Sequence, residues 1–194
     1  ETASAIATRL RDSMAWRLVY QTPEEGVVQL TQEEIKTIGA EGMRERMTKI
    51  MGLAGQNFGY CYNAYPMNKA STDGWDPGHP IHELMQLLSS RAFLDFGAGV
   101  IGHPAITKID ATATLYTRGS FLTRHVDDGA NNERKAAFTL GFNSGWQTDW
   151  GGLLMFIDQA STDVTRALIP RFNLLTLFDG RLVHSVSPVS PFAG

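Results

Sequence analysis

The chain has 194 residues, of which 43% are hydrophobic, and a formal net charge of −3. This length supports one domain with a sizeable core and is short for two. Seventeen basic residues against twenty acidic ones leave no positive excess for nucleic-acid binding, and a single cysteine excludes an internal disulfide. We find no signal-like segment and no long apolar span, so we expect a cytoplasmic protein without a membrane partner.

The first half of the chain is predicted to form a helical layer over a sheet of the barrel. Residues 4–11 indicate a short helix and residues 16–20 a strand. Thr31 and Glu34 fit a capping box at the start of a second helix, whose apolar residues follow at mostly helical spacing. Because Gly39 and Gly42 each cost about 1 kcal/mol relative to alanine, we expect this helix to kink or bend.

Residues 68–80 form a polar stretch rich in turn-forming residues. Two interpretations compete, a surface connection, which we favour, and a mobile loop that brings Trp75 to a substrate. His79 and His82 have the spacing of a metal pair, but no third ligand accompanies them, and we expect no metal there.

The most informative motif ends a predicted strand. Residues 113–116 and 121–125 are typical of two short strands joined at a glycine turn, and the second leads into His125-Val126-Asp127. Residues i and i+2 of an extended strand point to the same face, so His125 and Asp127 can reach one metal ion while Val126 packs on the other side. Alone, the His-x-Asp pattern is a weak signal.

His184, in a second predicted strand, completes a set of two imidazoles and one carboxylate. These three ligands form the facial triad of mononuclear non-haem Fe(II) sites, which leaves the other octahedral positions open for a co-substrate and oxygen. A structural zinc site would be closed by four ligands, usually with cysteine.

Further short apolar runs, bounded by Gly, Asp, Asn or Pro, predict strands at residues 138–142, 152–157 and 172–178. Short strands at this spacing are typical of a β-sandwich or barrel.

Four segments together resemble the prolyl 4-hydroxylase type of 2-oxoglutarate- and Fe(II)-dependent dioxygenases: residues 116–127, 134–143, 150–152 and 184–189. The resemblance implies a mainly β fold with flanking helices, a double-stranded β-helix or jelly roll. We expect a single domain over residues 1–194, in which residues 1–105 provide helical support and the first strands. Residues 106–194 then form the jelly-roll core with the metal site.

The resemblance also implies roles for individual residues. His125, Asp127 and His184 match the iron ligands and hence the catalytic centre. Tyr116 matches a tyrosine that reaches the bound 2-oxoglutarate, and Leu154 and Val186 match apolar residues that line its chain. The implied cofactor is Fe(II), with 2-oxoglutarate and O2 as co-substrates and ascorbate as a reductant.

Two features depart from the family pattern. Members usually carry an arginine about nine to twelve positions after the second histidine, which binds the distal carboxylate of 2-oxoglutarate. No arginine follows His184 up to Gly194. Either a tail with the last barrel strand is missing, which we expect, or the co-substrate is anchored differently. In addition, Gly141-Phe142-Asn143 stands where the family often has Tyr-Leu-Asn, so a second tyrosine hydroxyl is absent.

The predicted activity is hydroxylation of an unactivated C–H bond, and the closest resemblance is to enzymes that act on prolyl residues of proteins. Related chains act on free amino acids and other small molecules, and the fold does not choose among these substrates. Trp75, Trp146 and Trp150 form an aromatic wall for a proline ring in one interpretation and pack within the protein in another. The carboxylate of Asp127 argues against a halogenase.

Two other functional classes stay open at this point. One is a non-catalytic jelly-roll module that binds a small ligand or a protein partner. The other is a zinc hydrolase, which needs a general base, and the sequence places none beyond Asp128. We find no sequence signal for an oligomeric state.

Overall fold

The computed structural model describes residues 2–103, 106–127, 129, 131 and 133–194. Asp128 therefore lies outside the described residues. The helices are α1 (Thr2–Ser13), α2 (Gln32–Ala54), α3 (Met67–Asp73), α4 (Ile81–Leu88) and α5 (Arg91–Ile101). The strands are β1 (Arg17–Thr22), β2 (Gly26–Leu30), β3 (Tyr60–Pro66), β4 (Thr112–Leu115), β5 (Phe121–His125), β6 (Ala136–Gly141), β7 (Leu154–Ile157), β8 (Val164–Leu168), β9 (Leu174–Asp179) and β10 (His184–Val186).

The strands form two antiparallel sheets. The large sheet has the order β2-β1-β3-β5-β10-β7-β8, and β4 pairs with β3 beside this path, whereas the small sheet consists of β6 and β9. Phe178 of β9 contacts the rings of Phe156 and His184 in the large sheet, with centroid distances of 5.1 and 4.9 Å. The two sheets therefore face each other, and the predicted mainly β, jelly-roll fold with flanking helices is confirmed. We call the face of the large sheet that carries His184 the inner face.

Helix α2 begins as predicted. The Thr31 hydroxyl accepts a hydrogen bond from the Glu34 amide at 3.3 Å, and the Thr31 amide donates to the Glu34 carboxylate at 2.7 Å. Gly39 interrupts the helix with φ 73° and ψ 172°, which glycine adopts without the steric cost of a side chain. The predicted capping box and kink are both confirmed.

The predicted helical layer packs on the outer face of the large sheet. Ile50 of α2 packs against Tyr20, Cys61 and Phe121 of β1, β3 and β5, and all four side chains are buried. Burial of each of these large apolar side chains contributes about 1.5–3 kcal/mol relative to exposure. The cluster thus fixes β5, which leads to the metal motif, beneath α2.

The structure corrects the interpretation of residues 68–80 as a connection or mobile loop. Helix α3 occupies the first part, with Met67 and Ala70 buried, and ends at the left-handed Gly74. Trp75 packs against Tyr65 at the far end of β3 from the residues that pair with β5. This placement argues against the predicted contact of Trp75 with substrate.

Strand β8 was not predicted. It is an edge strand, and four of its five residues are exposed, so it lacks the apolar run that marks the other strands. Among the described residues, no helix is long and apolar enough to cross a membrane.

Candidate metal centre

Two neighbouring strands and one main-chain hydrogen bond bring the predicted metal ligands together. His125 ends β5, His184 begins β10, and the two residues are direct partners across these strands. Their rings lie 4.1 Å apart, centroid to centroid. Asp127 follows β5, and its amide donates to the Gly180 carbonyl at 2.6 Å, which ties it to the chain just after β9.

The three side chains, which we call the His-Asp-His triad, converge at their ligand atoms. His125 Nε2 lies 3.4 Å from Asp127 Oδ1, and His184 Nε2 lies 3.4 Å from Asp127 Oδ2. Donors at adjacent positions around one cation, with bonds of about 2.1 Å, lie about 3 Å apart, so a small inward movement suffices to bind an ion. Within the ranges that the structure describes, no other group of three His, Cys, Asp or Glu side chains is arranged to hold a metal.

Main-chain carbonyls fix the protonation of both imidazoles. His125 Nδ1 lies 2.9 Å from the Thr123 carbonyl oxygen, and His184 Nδ1 lies 2.8 Å from that of Leu182. A carbonyl oxygen only accepts, so each Nδ1 carries the proton and donates it. Each Nε2 therefore presents a lone pair to the centre of the triad, as metal-binding histidines do.

The Asp127 carboxylate is held ionised. Burial favours its neutral form, but hydrogen bonds and charge interactions with His125 and His184, which require a proton on each Nε2, outweigh burial and keep the Asp127 pKa well below its usual range. A metal ion that replaces the two Nε2 protons would meet two neutral nitrogen donors and one anionic oxygen donor, a set that suits a divalent transition metal.

The structure also places the predicted co-substrate residues around this face. Leu154 and Val186 are partners across β7 and β10, and strand alternation puts both on the inner face with His184. Tyr116 directly follows β4, and its ring stacks on that of Tyr62 at 5.1 Å and 22°.

A row of aromatic side chains beside the triad was not among the sequence predictions. The row consists of Phe58, two residues before β3, and of Tyr60 and Tyr62 within β3. The ring centroids of Phe58 and Tyr60 are 5.7 Å apart, and those of Tyr60 and Tyr62 are 5.5 Å apart. Phe58 also lies 5.8 Å from the His125 ring. The signal was present as three aromatics at i, i+2 and i+4, which a strand places on one face.

The remaining predicted residues lie in other surroundings. His79 contacts the Ser13 hydroxyl through Nε2 and accepts from the Ile81 amide through Nδ1, while His82 Nε2 lies 2.8 Å from the Trp75 carbonyl. Trp146 and Trp150 pack edge to face at 5.4 Å, in line with their packing interpretation.

A cavity of about 540 Å³ lies behind the triad, on the outer face of the large sheet. Ser185 and Met155, partners across β10 and β7, line it, and strand alternation points them away from the side that carries His184. These two residues therefore face away from the triad, whereas Phe58, which lies beside His125, also lines the cavity.

Comparison with known protein families agrees with this geometry. Residues 111–193 match the family model of the 2OG-Fe(II) oxygenase superfamily, and this range contains the whole triad. This part of the chain is a 2OG-Fe(II) oxygenase domain. The predicted 2-oxoglutarate-dependent dioxygenase is thereby confirmed, and membership of this family implies Fe(II), 2-oxoglutarate and O2 for the oxygenase.

The oxygenase is also similar to a solved structure, a Pseudomonas putida prolyl-4-hydroxylase. The sequences are 15% identical, the match covers 97% of this chain and 77% of the other, and the TM-score is 0.37. A likeness at this level says nothing about the substrate. No curated protein matches the chain.

Gly180 positions Asp127 in the oxygenase through the main chain. A Cβ atom at residue 180 would lie 3.1 Å from the Asp127 carbonyl oxygen and 3.3 Å from that of Arg134. We expect Gly180→Ala to displace Asp127 and lower Fe(II) affinity about 10-fold, as loss of a ligand's support does. Anaerobic calorimetric titration with Fe(II) measures this change.

The matched control for this prediction is Gly52→Ala, since a Cβ atom at residue 52 in α2 meets no heavy atom within 4 Å. An Fe(II) affinity of Gly180→Ala equal to that of the control contradicts the positioning role of Gly180.

Proposed function

We propose that the chain is a hydroxylase that acts on a prolyl residue of a peptide or protein, with His125, Asp127 and His184 as its iron ligands. The observation that carries this proposal is the convergence of two Nε2 lone pairs and one carboxylate at the paired ends of β5 and β10. Three such donors leave half of an octahedral coordination sphere for 2-oxoglutarate and oxygen.

The triad residues would hold the metal ion and partly balance its charge. Asp127 would supply one negative charge against a divalent ion, and the two imidazoles would bind without adding charge because each keeps its proton on Nδ1, which donates to a main-chain carbonyl. The chemistry that bound iron supplies is the oxidative decarboxylation of 2-oxoglutarate by O2 to succinate and CO2, coupled to hydroxylation of a C–H bond.

The two histidines differ in their exposure to solvent. The side chain of His184 is 4% exposed and lies against Phe178, whereas that of His125 is 15% exposed. Phe178 thus excludes water from the His184 side. This asymmetry supports an approach of the substrate from the His125 side.

For the co-substrate, we propose contacts with Tyr116, Leu154 and Val186. The two apolar side chains form a continuous surface across β7 and β10 on the inner face, suited to the methylene groups of 2-oxoglutarate. Tyr116, which follows β4, would supply a hydroxyl donor.

The position of Phe58 supports the proposal of a prolyl substrate. Its side chain is 49% exposed although it lies beside the His125 ring, so an aromatic face is open next to the triad. A proline ring offers a rigid apolar surface that packs on such a face at low entropic cost.

The iron and co-substrate are tested by anaerobic titration of the Fe(II)-loaded protein with 2-oxoglutarate. We expect a visible charge-transfer band in the wild type and in His103→Ala, which removes an imidazole outside the triad. The band should be absent in His184→Ala. A wild-type protein that binds Fe(II) without developing the band contradicts the proposed co-substrate.

The substrate is tested with proline-containing peptides and free L-proline under aerobic turnover. We expect succinate release to rise with the peptides, and their mass to increase by one oxygen atom on a proline. If only free amino acids are oxidised, the prolyl-residue part of the proposal fails and the chain is a small-molecule hydroxylase.

A further inference from the structure

We propose that Tyr62 binds the co-substrate, because with Tyr116 it presents a pair of hydroxyl donors to the carboxylate of 2-oxoglutarate that does not chelate iron. This inference rests on the proposed function. It assigns a role to a strand, β3, that lies outside the matched range of residues 111–193.

The fold brings the two tyrosines together from separate strands. Asn63 of β3 pairs with Leu115 of β4, so Tyr62 and Tyr116 each neighbour this pair along their own segments. Their rings stack nearly parallel, at 22°, which places the two phenol groups side by side. Tyr62 shares the inner face with Tyr60, which pairs with Leu122 of β5.

Both hydroxyl groups are available as donors. Across the described part of the chain, the hydroxyls of Tyr62 and Tyr116 have no hydrogen-bond partner, although both rings are largely removed from solvent. Within the described ranges, neither hydroxyl oxygen is among the fully buried atoms that lack a partner, so both can be reached from solvent. A bound ligand with acceptor oxygens can therefore accept from both.

The same two hydroxyls stay protonated near the triad. Burial raises the pKa of Tyr62 to about 12, helped by the neighbouring Tyr60 and by the Asp127 charge. Burial, Tyr62 and Asp127 likewise raise the pKa of Tyr116 far above its usual range. Both O–H groups therefore stay donors at neutral pH. The pair lies at the end of the aromatic row that begins with Phe58, whose ring centroid is 5.8 Å from that of His125.

The chemistry of the pair selects a carboxylate. Two adjacent O–H groups match the two oxygens of one carboxylate, and a hydrogen bond from a hydroxyl to an anion is about twice as strong as one between neutral groups.

The test compares two keto acids in the anaerobic Fe(II) titration. 2-Oxobutyrate has the chelating end of 2-oxoglutarate but lacks its distal carboxylate. For Tyr62→Phe and Tyr116→Phe, we expect 2-oxoglutarate affinity to fall about 10- to 100-fold, the effect of losing a hydrogen bond to a charged group. Affinities for 2-oxobutyrate and for Fe(II) itself, measured by calorimetry, should stay within about twofold.

Tyr60→Phe is the matched control, since it removes a hydroxyl from the same face of the same strand, two residues away from the residue that stacks on Tyr116. We expect it to bind both keto acids as the wild type does. A wild-type affinity of Tyr62→Phe for 2-oxoglutarate, or an equal loss with both keto acids, overturns the role of Tyr62. A wild type that gives no band with either keto acid overturns the proposed function as well.

Discussion

Asp127→Ala is expected to abolish hydroxylation and to weaken Fe(II) binding more than about 100-fold. Changes to residues that merely support a ligand cost 10- to 100-fold in metal affinity, and this substitution removes a ligand. It also removes the only negative charge in the triad, so the two imidazoles face a divalent ion without compensation. Anaerobic calorimetry with Fe(II) and a succinate-release assay measure the two effects.

Two further variants sharpen this test. Asp127→Asn keeps the shape of the side chain and loses its charge, and we expect it to lose Fe(II) affinity as well. Asp95→Ala removes a surface carboxylate that pairs with Arg91 on α5 and should leave both readouts unchanged. Hydroxylation retained in Asp127→Ala would show that the carboxylate is no iron ligand.

The second large effect concerns Gly151, where we expect Gly151→Ala to destabilise the fold by about 3 kcal/mol or more. Gly151 has φ 74° and ψ −150°, a conformation that costs a residue with a side chain about 1–3 kcal/mol. An added Cβ would also overlap the Pro188 carbonyl oxygen, and overpacking adds about 1–3 kcal/mol. Urea-induced unfolding measures the loss.

We expect Gly151→Ala to disturb the metal centre as well as the stability of the fold. The segment after β10 is held by hydrogen bonds from the Gly152 amide to the Ser187 carbonyl, at 3.1 Å, and from the Ser190 amide to the Trp150 carbonyl, at 2.8 Å. Displacing Pro188 strains these bonds and the short strand that begins with His184. We therefore expect weaker Fe(II) binding in the folded fraction of the variant.

Gly99→Ala is the control for this substitution. Gly99 lies in α5 with ordinary helical geometry, and an added Cβ there meets no atom within 4 Å. Alanine should stabilise the helix by about 0.5–1 kcal/mol. If Gly151→Ala unfolds at the same urea concentration as the wild type, the close approach to Pro188 is not a constraint on the fold.

The parts of the metal centre that depend on local spacing were predictable from the sequence. The alternation of a strand puts His125 and Asp127 on one face whatever the rest of the fold does, and the capping box at Thr31 likewise acts within one turn of helix. Pairing of His184 with His125 is a long-range contact, and the ligand types predicted that the two residues meet, although no local spacing encodes the strand pairing.

Other features depend on contacts that no local pattern encodes. The turn at Gly119 predicted two joined strands, but β4 and β5 both pair with β3 instead of with each other. Residues 68–80 read as polar turns because α3 is short and buries only Met67 and Ala70. The contact of Tyr62 with Tyr116 arises from pairing of β3 with β4, two strands that are distant along the chain, and no local pattern predicts it.

The hydrogen bonds from both Nδ1 atoms reach carbonyls only two residues earlier, at Thr123 and Leu182. Each imidazole is thus oriented by its own tripeptide, before any other part of the barrel is in place. Assembly of the centre then reduces to matching β5 with β10 in the correct register, and a slip of one residue would turn one imidazole to the outer face. We therefore expect Fe(II) held by both imidazoles to stabilise this register, so that metal binding would raise the stability of this end of the barrel.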